Sequence, residues 1–344
     1  MKKLKILVGL SGGVDSAVSA YLLKQAGHEV HCGFMINYLD EDNENCTTKI
    51  DLAEARKVAD FLELPFFTFD YRDEYESRII DYIYREYEAG RTPNPDVFCN
   101  NLVKFDLFLE EALSLGYDKI ATGHYAQIEG NHIKKGLDPN KDQSYFLSRL
   151  SEFQISKAIF PIGHLEKSEV RKIAKEANLP NAERKDSQGL CFIGKIPMKE
   201  FLAKKLQKKP GKIIDLNGKI LGEHDGAFSF TIGQRKGIKI GGGPALFVVA
   251  KDTEKNTITV GTAEDLALFS KKCEILDFVG KIPDFSREYA AKIRYRQEDQ
   301  ICHISEGENG TYMVEFEQPQ RAIASGQICV VYQDDIVIGS GIIK

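Results

Sequence analysis

The 344-residue chain lacks the features that would assign it to a membrane or secreted class. No apolar run approaches the roughly 20 residues that a membrane-spanning helix requires, and the longest, residues 245–250, has the length of a strand. Glycines and Asp15 follow the basic start of the chain at once, so the apolar core of a secretory signal peptide is missing. We therefore expect a cytoplasmic protein.

Cysteine pairs of the C-x-x-C type are absent, which disfavours zinc ribbons and thioredoxin-like redox sites. In a reducing cytosol, a disulfide between any two of the seven cysteines would more often be catalytic than structural. Cys32, Cys273, Cys302 and Cys329 lie in or beside strand-like runs, and we expect them to pack as small apolar residues. Cys46, in an acidic loop, stays open between a packing and a functional role.

Histidines and cysteines with the spacing of a metal site are absent as well. His28, His31 and Cys32 are close in sequence, but they flank and enter a strand without the usual ligand spacing. We expect structural roles for these residues and no metal centre built from them.

Positive charge is not in excess overall, because the net charge is −5, and this average argues against a nucleic-acid partner. The average hides two segments of opposite sign, however. Residues 37–96 contain 16 acidic and 7 basic residues, a net charge of −9, whereas residues 134–212 contain 18 basic and 9 acidic residues, a net charge of +9. The middle of the chain can therefore present a positive face.

The first third of the chain alternates strand and helix patterns. Its apolar runs have strand length, and each is followed by a stretch in which apolar residues have helical spacing. Strands separated by helices of this length indicate a parallel sheet with crossover connections, and hence an α/β fold. The predicted strands are 4–9, 30–36, 66–70 and 119–122, and the predicted helices are 16–26, 50–64, 101–115 and one near 74–88.

The pattern changes after about Pro197, where a last basic helix, 198–206, gives way to short strands and turns. Asn217 and Gly218 suit the φ > 0 turn of a tight hairpin between 212–216 and 219–221. Further strands are predicted at 228–232, 246–250, 257–260, 275–279, 290–296, 311–316, 327–332 and 336–342. The expected domains are an N-terminal nucleotide domain (1–196), a small mixed or β middle domain (197–266) and a C-terminal β-barrel-like domain (267–344).

A glycine-rich turn joins the first predicted strand to the first helix. Glycine lets the backbone approach an anion closely, and the helix N-terminus presents N–H groups and the positive end of its dipole. The spacing fits neither the Walker motif nor G-x-G-x-x-G, whereas S-G-G-x-D-S is the pattern of the PP-loop pyrophosphatases, which split ATP between its α and β phosphates. The alternative is a connection without a ligand. The turn comprises Gly9, Leu10, Ser11, Gly12, Gly13, Val14, Asp15 and Ser16.

Asp15 has two interpretations. A carboxylate at this position is suited to a Mg²⁺ ion that bridges the phosphates. The alternative is a loop or capping carboxylate, because Mg²⁺ often relies mainly on water and phosphate oxygens. The sequence leaves both open.

Two further cysteines lie in unusual surroundings. Asp96 stands three residues before Cys99 at the expected start of a helix, where the helix dipole favours a nucleophilic thiolate. Cys191 follows Arg184 and Lys185, whose positive charge also favours a thiolate. For either cysteine the alternative is a small buried apolar residue.

These motifs together resemble the tRNA-specific 2-thiouridylases, which replace the C2 oxygen of the wobble uridine by sulfur. The PP-loop alone would indicate only a superfamily, and the two cysteine motifs with the Lys-Asp-Gln run make the resemblance specific. The chain departs from the family pattern at Gln188, where threonine is common, and in lacking tryptophan before Gly90. The resemblance runs nearly from end to end, through 9–16, 35–37, 90–100, 121–126, 136–146, 186–194, 231–237, 293–296 and 324–327.

The resemblance implies a role for each matching residue. The glycine-rich turn, Met35 and Gly123 are expected to bind ATP, with Mg²⁺. Cys99 is expected to be the nucleophile, and Cys191 to carry a persulfide sulfur. Asp96 is expected to relay protons, with a helix cap as its other interpretation. The target base is expected at Asn94, Pro95 and Asp96, and tRNA contacts at His124, Lys141, Asp142, Gln143, Arg294, Tyr295 and Gln327.

The implied reaction is ATP-dependent 2-thiolation, with release of AMP and pyrophosphate. Adenylation makes the C2 oxygen part of AMP, a good leaving group, and sulfur then replaces it in a site closed to water. Either Cys99 attacks the persulfide on Cys191, which leaves a disulfide, or the persulfide sulfur attacks C2 directly. The sequence does not choose between these routes.

The implied partners are the anticodon loop of tRNA, whose single-stranded bases can enter a pocket, and a persulfide donor such as a cysteine desulfurase or a sulfur-relay protein. Two rival functions stay open. One is an amide-forming PP-loop ligase, which would not need two cysteines. The other is an RNA-binding protein without catalysis, and the basic residues then include ordinary solvated charge.

Overall fold

The computed structural model describes residues 2–40, 46–186 and 196–344. The chain divides into two compact units, each assembled from three stretches of sequence. Unit 1 comprises Met1–Ile79, Pro95–Ile196 and Asp335–Ile338, and unit 2 comprises Ile80–Asn94, Pro197–Asp334 and Gly339–Lys344.

The helices lie mainly in the first half of the chain. Two π-helical segments lie within longer helical runs. Glu76–Ile80 joins Arg72–Tyr75 to Asp81–Glu88, and Asn100–Leu107 joins Pro95–Cys99 to Phe108–Ser114. No helix in the described ranges is both long enough and apolar enough to cross a membrane. The α-helices are α1 (Val14–Gln25), α2 (Thr48–Phe61), α3 (Arg72–Tyr75), α4 (Asp81–Glu88), α5 (Pro95–Cys99), α6 (Phe108–Ser114), α7 (Glu152–Lys157), α8 (Lys167–Glu176) and α9 (Met198–Leu202).

Unit 1 contains a five-stranded parallel sheet in the order β3-β2-β1-β4-β7. Its central strand is buried almost throughout, as expected for a parallel strand covered on both faces. The same unit contains an antiparallel hairpin, β5–β6. The strands are β1 (Lys5–Gly9), β2 (Glu29–Ile36), β3 (Phe66–Asp70), β4 (Lys119–Ala121), β5 (Ala126–Glu129), β6 (His132–Lys135) and β7 (Ala158–Ile159).

One face of the parallel sheet packs against three helices, α1, α2 and α8. Small and branched apolar side chains from all three contact the strands, and this contact buries the apolar stripe of each helix. The packing brings the start of α1 and the start of α8 to the edge at which β1 and β4 end. The contributing residues include Val14, Ala17, Ala55, Val58, Val170 and Ala174.

Unit 2 contains a four-stranded sheet and a closed barrel. The four-stranded sheet has the order β10-β11-β8-β9, and the barrel has the order β12-β15-β14-β13-β16-β17, closed by pairing of β12 with β17. Closure leaves the barrel without an open sheet edge. The strands are β8 (Gly211–Ile214), β9 (Ile220–His224), β10 (Phe247–Asp252), β11 (Thr257–Gly261), β12 (Phe269–Gly280), β13 (Glu288–Lys292), β14 (Gln300–Glu306), β15 (Tyr312–Arg321), β16 (Ile328–Gln333) and β17 (Ile336–Ile343).

The predicted fold class is confirmed: a parallel α/β sheet precedes a small β-rich region and an antiparallel barrel. The tight turn at Asn217-Gly218 is also confirmed, with Gly218 at φ +83° between β8 and β9. The strand predicted at 228–232 is wrong, because a 3-10 turn, Ala227–Ser229, occupies its first part. Its apolar residues, such as Phe230, pack into the core of the four-stranded sheet without strand geometry. The domain limits at 196 and 266 stay predictions.

The four cysteines that we expected to pack as apolar residues are buried. Cys32 lies in β2, and Cys273, Cys302 and Cys329 lie in three strands of the barrel. Burial raises the pKa of the Cys32 and Cys302 thiols to about 12, so both stay protonated and inert at neutral pH. The partly exposed thiol of Cys46 accepts a hydrogen bond from the Asp40 backbone N–H at 3.4 Å, which indicates a local role in its loop.

Candidate functional site

The glycine-rich turn follows β1 and leads directly into α1. Gly12 has φ +77°, and a methyl group added there would lie 2.5 Å from the carbonyl oxygen of Asp51. Glycine is therefore required on two grounds, the left-handed backbone and the close approach of α2. The side chain of Arg184 hydrogen-bonds both Asp51 and the Gly12 carbonyl, and Asn181 donates to the same carbonyl at 2.8 Å.

Two serines brace the turn from inside. The Ser11 backbone N–H donates to Ser16 Oγ at 3.2 Å, and Ser16 Oγ donates to the Gly13 carbonyl at 3.1 Å. Gly13 precedes α1, and no side chain caps this helix N-terminus. The first turn of α1 therefore presents its backbone N–H groups and its positive dipole end to the space at the glycine-rich turn, which suits an anion such as a phosphate.

Gly123 and Met35 lie against this turn, as the ATP assignment requires. A methyl group at Gly123 would lie 2.6 Å from the backbone nitrogen of Ser16, so the segment after β4 contacts α1 backbone to backbone. A methyl group at Gly9 would lie 3.4 Å from Met35 Cε, which places that side chain beside the end of β1. The structure thus brings together the residues predicted to bind ATP, while their roles stay predictions.

Asp15 extends from the first turn of α1 to two partners that the sequence did not single out. Its Oδ1 accepts hydrogen bonds from the Tyr125 hydroxyl at 2.7 Å and from Lys167 Nζ at 2.6 Å. Burial and the negative charge of Asp15 raise the pKa of Tyr125, so the hydroxyl is a donor at all ordinary pH values. Both donors bind the same oxygen of Asp15, Oδ1.

A second carboxylate, Asp186, gathers three cations. Lys141 Nζ lies 2.7 Å from Asp186 Oδ2, while Lys167 Nζ and the Arg171 guanidinium lie 2.8 and 2.7 Å from Oδ1. Partial burial by itself would raise the pKa of Asp186, but the hydrogen bonds from Lys141 and Lys167 outweigh it and hold this pKa well below its usual range. Lys167 therefore joins Asp15 and Asp186, and Asp186 directly precedes the segment that contains Cys191.

Cys99 is the last residue of α5, and Asp96 lies in the first turn of that helix, as predicted. The Cys99 side chain is fully buried. The π-helical segment that follows is anchored by Asn101, whose amide donates to the Arg149 carbonyl at 3.0 Å. Cys191 lies outside the described residues, so the expected pairing of Cys99 with Cys191 stays a prediction.

The predicted tRNA contacts in residues 141–143 have different surroundings. Lys141 is partly exposed and pairs with Asp186. Asp142 is buried and accepts hydrogen bonds from the Gly136 and Ser144 backbone N–H groups at 2.9 and 3.1 Å. Gln143 accepts from the Tyr125 backbone N–H at 2.9 Å. The side chains of Asp142 and Gln143 thus hydrogen-bond the backbone of the turn. Lys141 is the one of the three whose charged side chain is partly exposed to solvent.

His124 is buried between Phe105 and Phe160, with 7% of its surface exposed. Its Nδ1 and Thr122 Oγ1 share a hydrogen bond of 2.7 Å. Burial, and to a smaller extent the charge of Lys104, lowers the pKa of His124 well below its usual value. The imidazole is therefore neutral at physiological pH, and it carries no positive charge with which to contact a tRNA phosphate.

The remaining predicted residues belong to unit 2. Gln327 Nε2 donates to the carbonyls of Thr92 and Pro93 at 2.8 and 3.1 Å, and the Thr92 N–H donates to the Ser325 carbonyl at 2.8 Å. Gln327 thereby holds the backbone that leads to Asn94, the first of the residues expected to hold the base. Arg294 is exposed, and its guanidinium hydrogen-bonds the Ala322 carbonyl; Tyr295 follows it in sequence.

Sequence reasoning missed the polar residues that complete the site around Asp15. Tyr125 lies inside a motif that carried the resemblance, but its hydroxyl was not assigned. Lys167 and Arg171 belong to α8, a helix that was not predicted, and the only signal was the net positive charge of residues 134–212. Their function depends on which carboxylates they reach, and the tertiary structure alone decides this.

Comparison with known families covers almost the whole chain. Residues 4–195 match the tRNA methyl transferase HUP domain, 199–262 the tRNA methyl transferase PRC-barrel domain, and 272–343 the aminomethyltransferase beta-barrel domain. The tRNA-specific 2-thiouridylase MnmA 1 of Geobacillus kaustophilus is 47% identical over 355 aligned positions, which cover 100% of this chain and 96% of that relative. This chain belongs to the tRNA-specific 2-thiouridylase family.

Other 2-thiouridylases match over similar lengths. The relative from Nitrosomonas europaea is 46% identical and covers 100% of this chain and 99% of its own length. The relative from Neisseria meningitidis serogroup A is 47% identical, with 98% and 95% covered. The resemblance drawn from the sequence is thus confirmed, although the first domain's description mentions methyl transfer, while the relatives' names mention thiolation.

Proposed function

We propose that this 2-thiouridylase family member catalyses ATP-dependent 2-thiolation of the wobble uridine of tRNA. The observation that carries the proposal is the glycine-rich turn, whose uncapped α1 N-terminus presents backbone N–H groups that suit a phosphate, within a chain that matches 2-thiouridylases over its full length. A methyltransferase would not need an ATP-splitting loop of this kind together with a cysteine at the start of a neighbouring helix.

The first step joins the uridine to AMP. The C2 oxygen attacks the α phosphorus of ATP, the bond between that phosphorus and the α–β bridging oxygen breaks, and its electron pair leaves with pyrophosphate. The phosphate chain lies at the glycine-rich turn, where backbone N–H groups and the α1 dipole stabilise its charge. Asn94, Pro95 and Asp96 hold the base, and Asp96 accepts or donates the proton that the ring must exchange.

The second step replaces the activated oxygen by sulfur. A persulfide on Cys191 provides the sulfur, and AMP leaves with the former C2 oxygen. If Cys99 attacks the sulfur of Cys191, a Cys99–Cys191 disulfide forms and the terminal sulfur departs as the nucleophile. If the terminal sulfur attacks C2 first, AMP leaves, and Cys99 then attacks the Cys191 sulfur. This attack forms the same disulfide, and the electron pair of the broken S–S bond stays on the sulfur bound to C2.

Asp15 fits a Mg²⁺ ion that is held mainly by phosphate and water. Mg²⁺ in phosphoryl-transfer sites takes one or two carboxylates, with substrate oxygens as further ligands. Tyr125 and Lys167 engage Asp15 Oδ1, so the carboxylate is oriented before the ion arrives. When bound, the ion would neutralise charge on the phosphate chain.

We further propose that the protein acts in the cytoplasm, on the anticodon loop of tRNA, with a protein-bound persulfide as sulfur source. The residues proposed to contact tRNA are His124, Lys141, Asp142, Gln143, Arg294, Tyr295 and Gln327. Asp142 and Gln143 also hydrogen-bond the backbone of the turn that contains Lys141.

The decisive experiment mixes the protein with unmodified tRNA, ATP, Mg²⁺ and a persulfide donor, and measures both AMP and 2-thiouridine. The wild type should form both products. An amide ligase would form no 2-thiouridine and would form AMP only after a carboxylate substrate is added, and an RNA-binding protein would form neither product. The proposal fails if the wild type makes no 2-thiouridine under conditions in which a related thiouridylase does.

Cysteine variants test the roles of the two thiols. Cys191→Ser should abolish 2-thiouridine and retain tRNA binding, since the persulfide carrier is lost while the nucleic-acid surface is unchanged. Cys99→Ser should lose thiolation as well. Cys46→Ser, which changes a loop cysteine, is the matched control and should stay within about twofold of the wild type. Thiolation retained by Cys191→Ser would contradict the persulfide role.

A further inference from the structure

The Lys167 ammonium contacts Asp15, the carboxylate of the glycine-rich turn. It is the first residue of α8, its side chain is 14% exposed, and its ammonium lies 2.6 Å from Asp15 Oδ1 and 2.8 Å from Asp186 Oδ1. The backbone N–H of Lys167 donates to Asp138 Oδ2 at 3.0 Å, which anchors the start of the helix. The ammonium is therefore held in one place beside the first turn of α1.

The contacts of Lys167 leave it suited to bind one more anion. An ammonium group has three N–H donors, and the two carboxylates take two of them. Asp186 also receives Lys141 and Arg171, so its negative charge is shared among three cations. Asp138, which accepts the Lys167 backbone N–H, brings this cluster to three positive and three negative charges. One N–H donor of the ammonium is left for a further acceptor at the adjacent turn.

Two other cations near the glycine-rich turn, Arg184 and Lys141, make different contacts. Arg184 hydrogen-bonds Asp51 and the backbone carbonyl of Gly12, and these contacts support the outer side of the turn. Lys141 donates to Asp186 Oδ2 at 2.7 Å. Among these described cations, Lys167 is the one bonded to a side chain of the first turn of α1.

We propose that Lys167 binds the phosphate chain of ATP and stabilises the pyrophosphate that leaves, and that Asp186 is the residue that positions it. This inference rests on the function proposed above. As the bond between the α phosphorus and the bridging oxygen breaks, negative charge grows on the β phosphate, and the Lys167 ammonium donates a hydrogen bond to that charge. The lysine donates only a hydrogen bond and transfers neither a proton nor electrons, so the balance of the adenylation step is unchanged.

The first test compares Lys167→Met with Lys172→Met, an exposed lysine on the same helix whose ion pair is with Glu176. The measured quantities are the Kd of α,β-methylene ATP with Mg²⁺, and the rate of AMP formation with tRNA. Lys167→Met should weaken nucleotide binding at least tenfold and slow AMP formation about 100-fold, with unchanged tRNA affinity. Lys172→Met should match the wild type. Nucleotide affinity and AMP rate within twofold of the wild type for Lys167→Met would overturn the proposal.

A second test separates phosphate binding from simple neutralisation of Asp15. If the lysine only compensates that carboxylate, Asp15→Asn/Lys167→Met should bind the nucleotide as tightly as Asp15→Asn alone, and the proposal is then wrong. If the lysine binds phosphate, the double variant should bind at least tenfold more weakly than Asp15→Asn. Lys167→Arg keeps a cation and should restore part of the affinity, which guards against a folding defect in Lys167→Met.

The positioning role of Asp186 has its own measurement. Asp186→Asn should leave the Lys167 ammonium present but less firmly held, so AMP formation should slow by a smaller factor than in Lys167→Met. The double variant Lys167→Met/Asp186→Asn should form AMP no more slowly than Lys167→Met. Additive losses would show that Asp186 acts separately from the lysine. Should the wild type form no 2-thiouridine, the proposed function fails, whereas the nucleotide affinities still decide whether Lys167 contacts phosphate.

Discussion

Gly123 shows how one missing side chain determines the geometry of the phosphate site. The segment after β4 lies so close to α1 that a methyl group at Gly123 would lie 2.6 Å from the Ser16 nitrogen and 2.8 Å from the Asp15 carbonyl carbon. Both of those atoms are backbone, so relief requires the strand end and the helix to separate. The close contact is what keeps the first turn of α1 at the end of the parallel sheet.

Gly123→Ala should therefore lower both stability and nucleotide affinity. We expect a loss of about 1–3 kcal/mol in the free energy of unfolding, typical of overpacking, together with weaker binding of α,β-methylene ATP, because Asp15 and Ser16 are displaced. Urea denaturation and calorimetric titration measure the two effects. Gly241→Ala, at an exposed glycine with open space around its backbone, should change stability by less than about 0.5 kcal/mol. Equal behaviour of the two variants would contradict the steric argument.

His124 makes stability depend on pH. The folded chain keeps the imidazole neutral because burial lowers its pKa, whereas an unfolded histidine titrates near pH 6.5. Below about pH 6.5 the unfolded state binds a proton that the folded state does not bind, so the free energy of unfolding falls as the pH falls. Between pH 6.5 and 5.5 this contribution amounts to about 1 kcal/mol.

Urea denaturation at pH 7.5, 6.5 and 5.5 measures the effect. The difference in unfolding free energy between the wild type and His124→Gln should shrink as the pH falls, since the variant has no imidazole to protonate. His303→Gln, at an exposed position in β14, should not show this trend. A wild-type advantage that grows toward pH 5.5 would show that the sign is wrong.

At the level of elements, the segment that presents Cys99 is a helix with a π-helical interruption. α5, the π-helical segment and α6 follow one another without a break from Pro95 to Ser114. π-Helical turns are frequent at functional sites, and here the turn starts immediately after Cys99. Gln154 fixes this turn from outside: its Nε2 donates to the Asn101 carbonyl at 3.1 Å, while its Oε1 accepts from the Ser151 N–H at 2.9 Å in a capping box of α7.

Gln154→Ala should cost about 1–2 kcal/mol in the free energy of unfolding, because it removes a helix cap and leaves the Asn101 carbonyl without this donor. It should also speed hydrogen exchange in residues 100–107. Ser156→Ala, an exposed change on the same short helix, is the control and should have little effect on either quantity. The interpretation is wrong if exchange in residues 100–107 is the same in both variants.

Sequence patterns were sufficient to predict some of the strands and helices but not others. Strands β1 to β4 and helices α1 and α2 were predicted because each has a clear apolar pattern, and Gly27 and Pro65 mark the ends of the two helices. The β5–β6 hairpin, α8 and β14 were not predicted. β14 alternates buried and exposed residues over a polar sequence, and α8 has only two fully buried residues, so their apolar signal is weak. Tertiary packing, not local propensity, stabilises such elements.

For the whole molecule, the important fact is that sequence order and compact units do not coincide. Residues Ile80–Asn94 belong to unit 2, although they lie within the stretch that we expected to form the N-terminal domain. Inside unit 2, the Tyr84 ring stacks on Phe201 at 5.2 Å, and the Tyr84 hydroxyl donates to the Phe201 carbonyl at 2.8 Å. A polypeptide cut after residue 196 would lose this partner and would expose Tyr84.

A fragment of residues 1–196 should therefore fold poorly. We expect it to bind a hydrophobic dye, to aggregate above micromolar concentration and to melt without a cooperative transition, because buried aromatic surface is exposed and Asp335–Ile338 is missing from unit 1. Co-expression with residues 197–344 is the matched control and should restore a cooperative transition. A monomeric fragment with a sharp transition of its own would contradict this expectation and would support the domain limit at residue 196.

The sequence by itself determined the chemistry that this chain can perform. The S-G-G-x-D-S turn between a strand and a helix, and two cysteines in stiff or charged surroundings, are local patterns whose physical meaning does not depend on distant residues. The family resemblance followed from these motifs, the fold class followed from the alternation of strand and helix patterns, and both were confirmed. The tertiary structure alone decided which charges meet: Asp15 with Tyr125 and Lys167, and Asp186 with Lys141 and Arg171. The Asp15 contacts join residues 110 and 152 positions apart, and the Asp186 contacts join residues 45 and 15 positions apart. Coulombic interaction depends on distance in space, which no period or spacing in the sequence encodes.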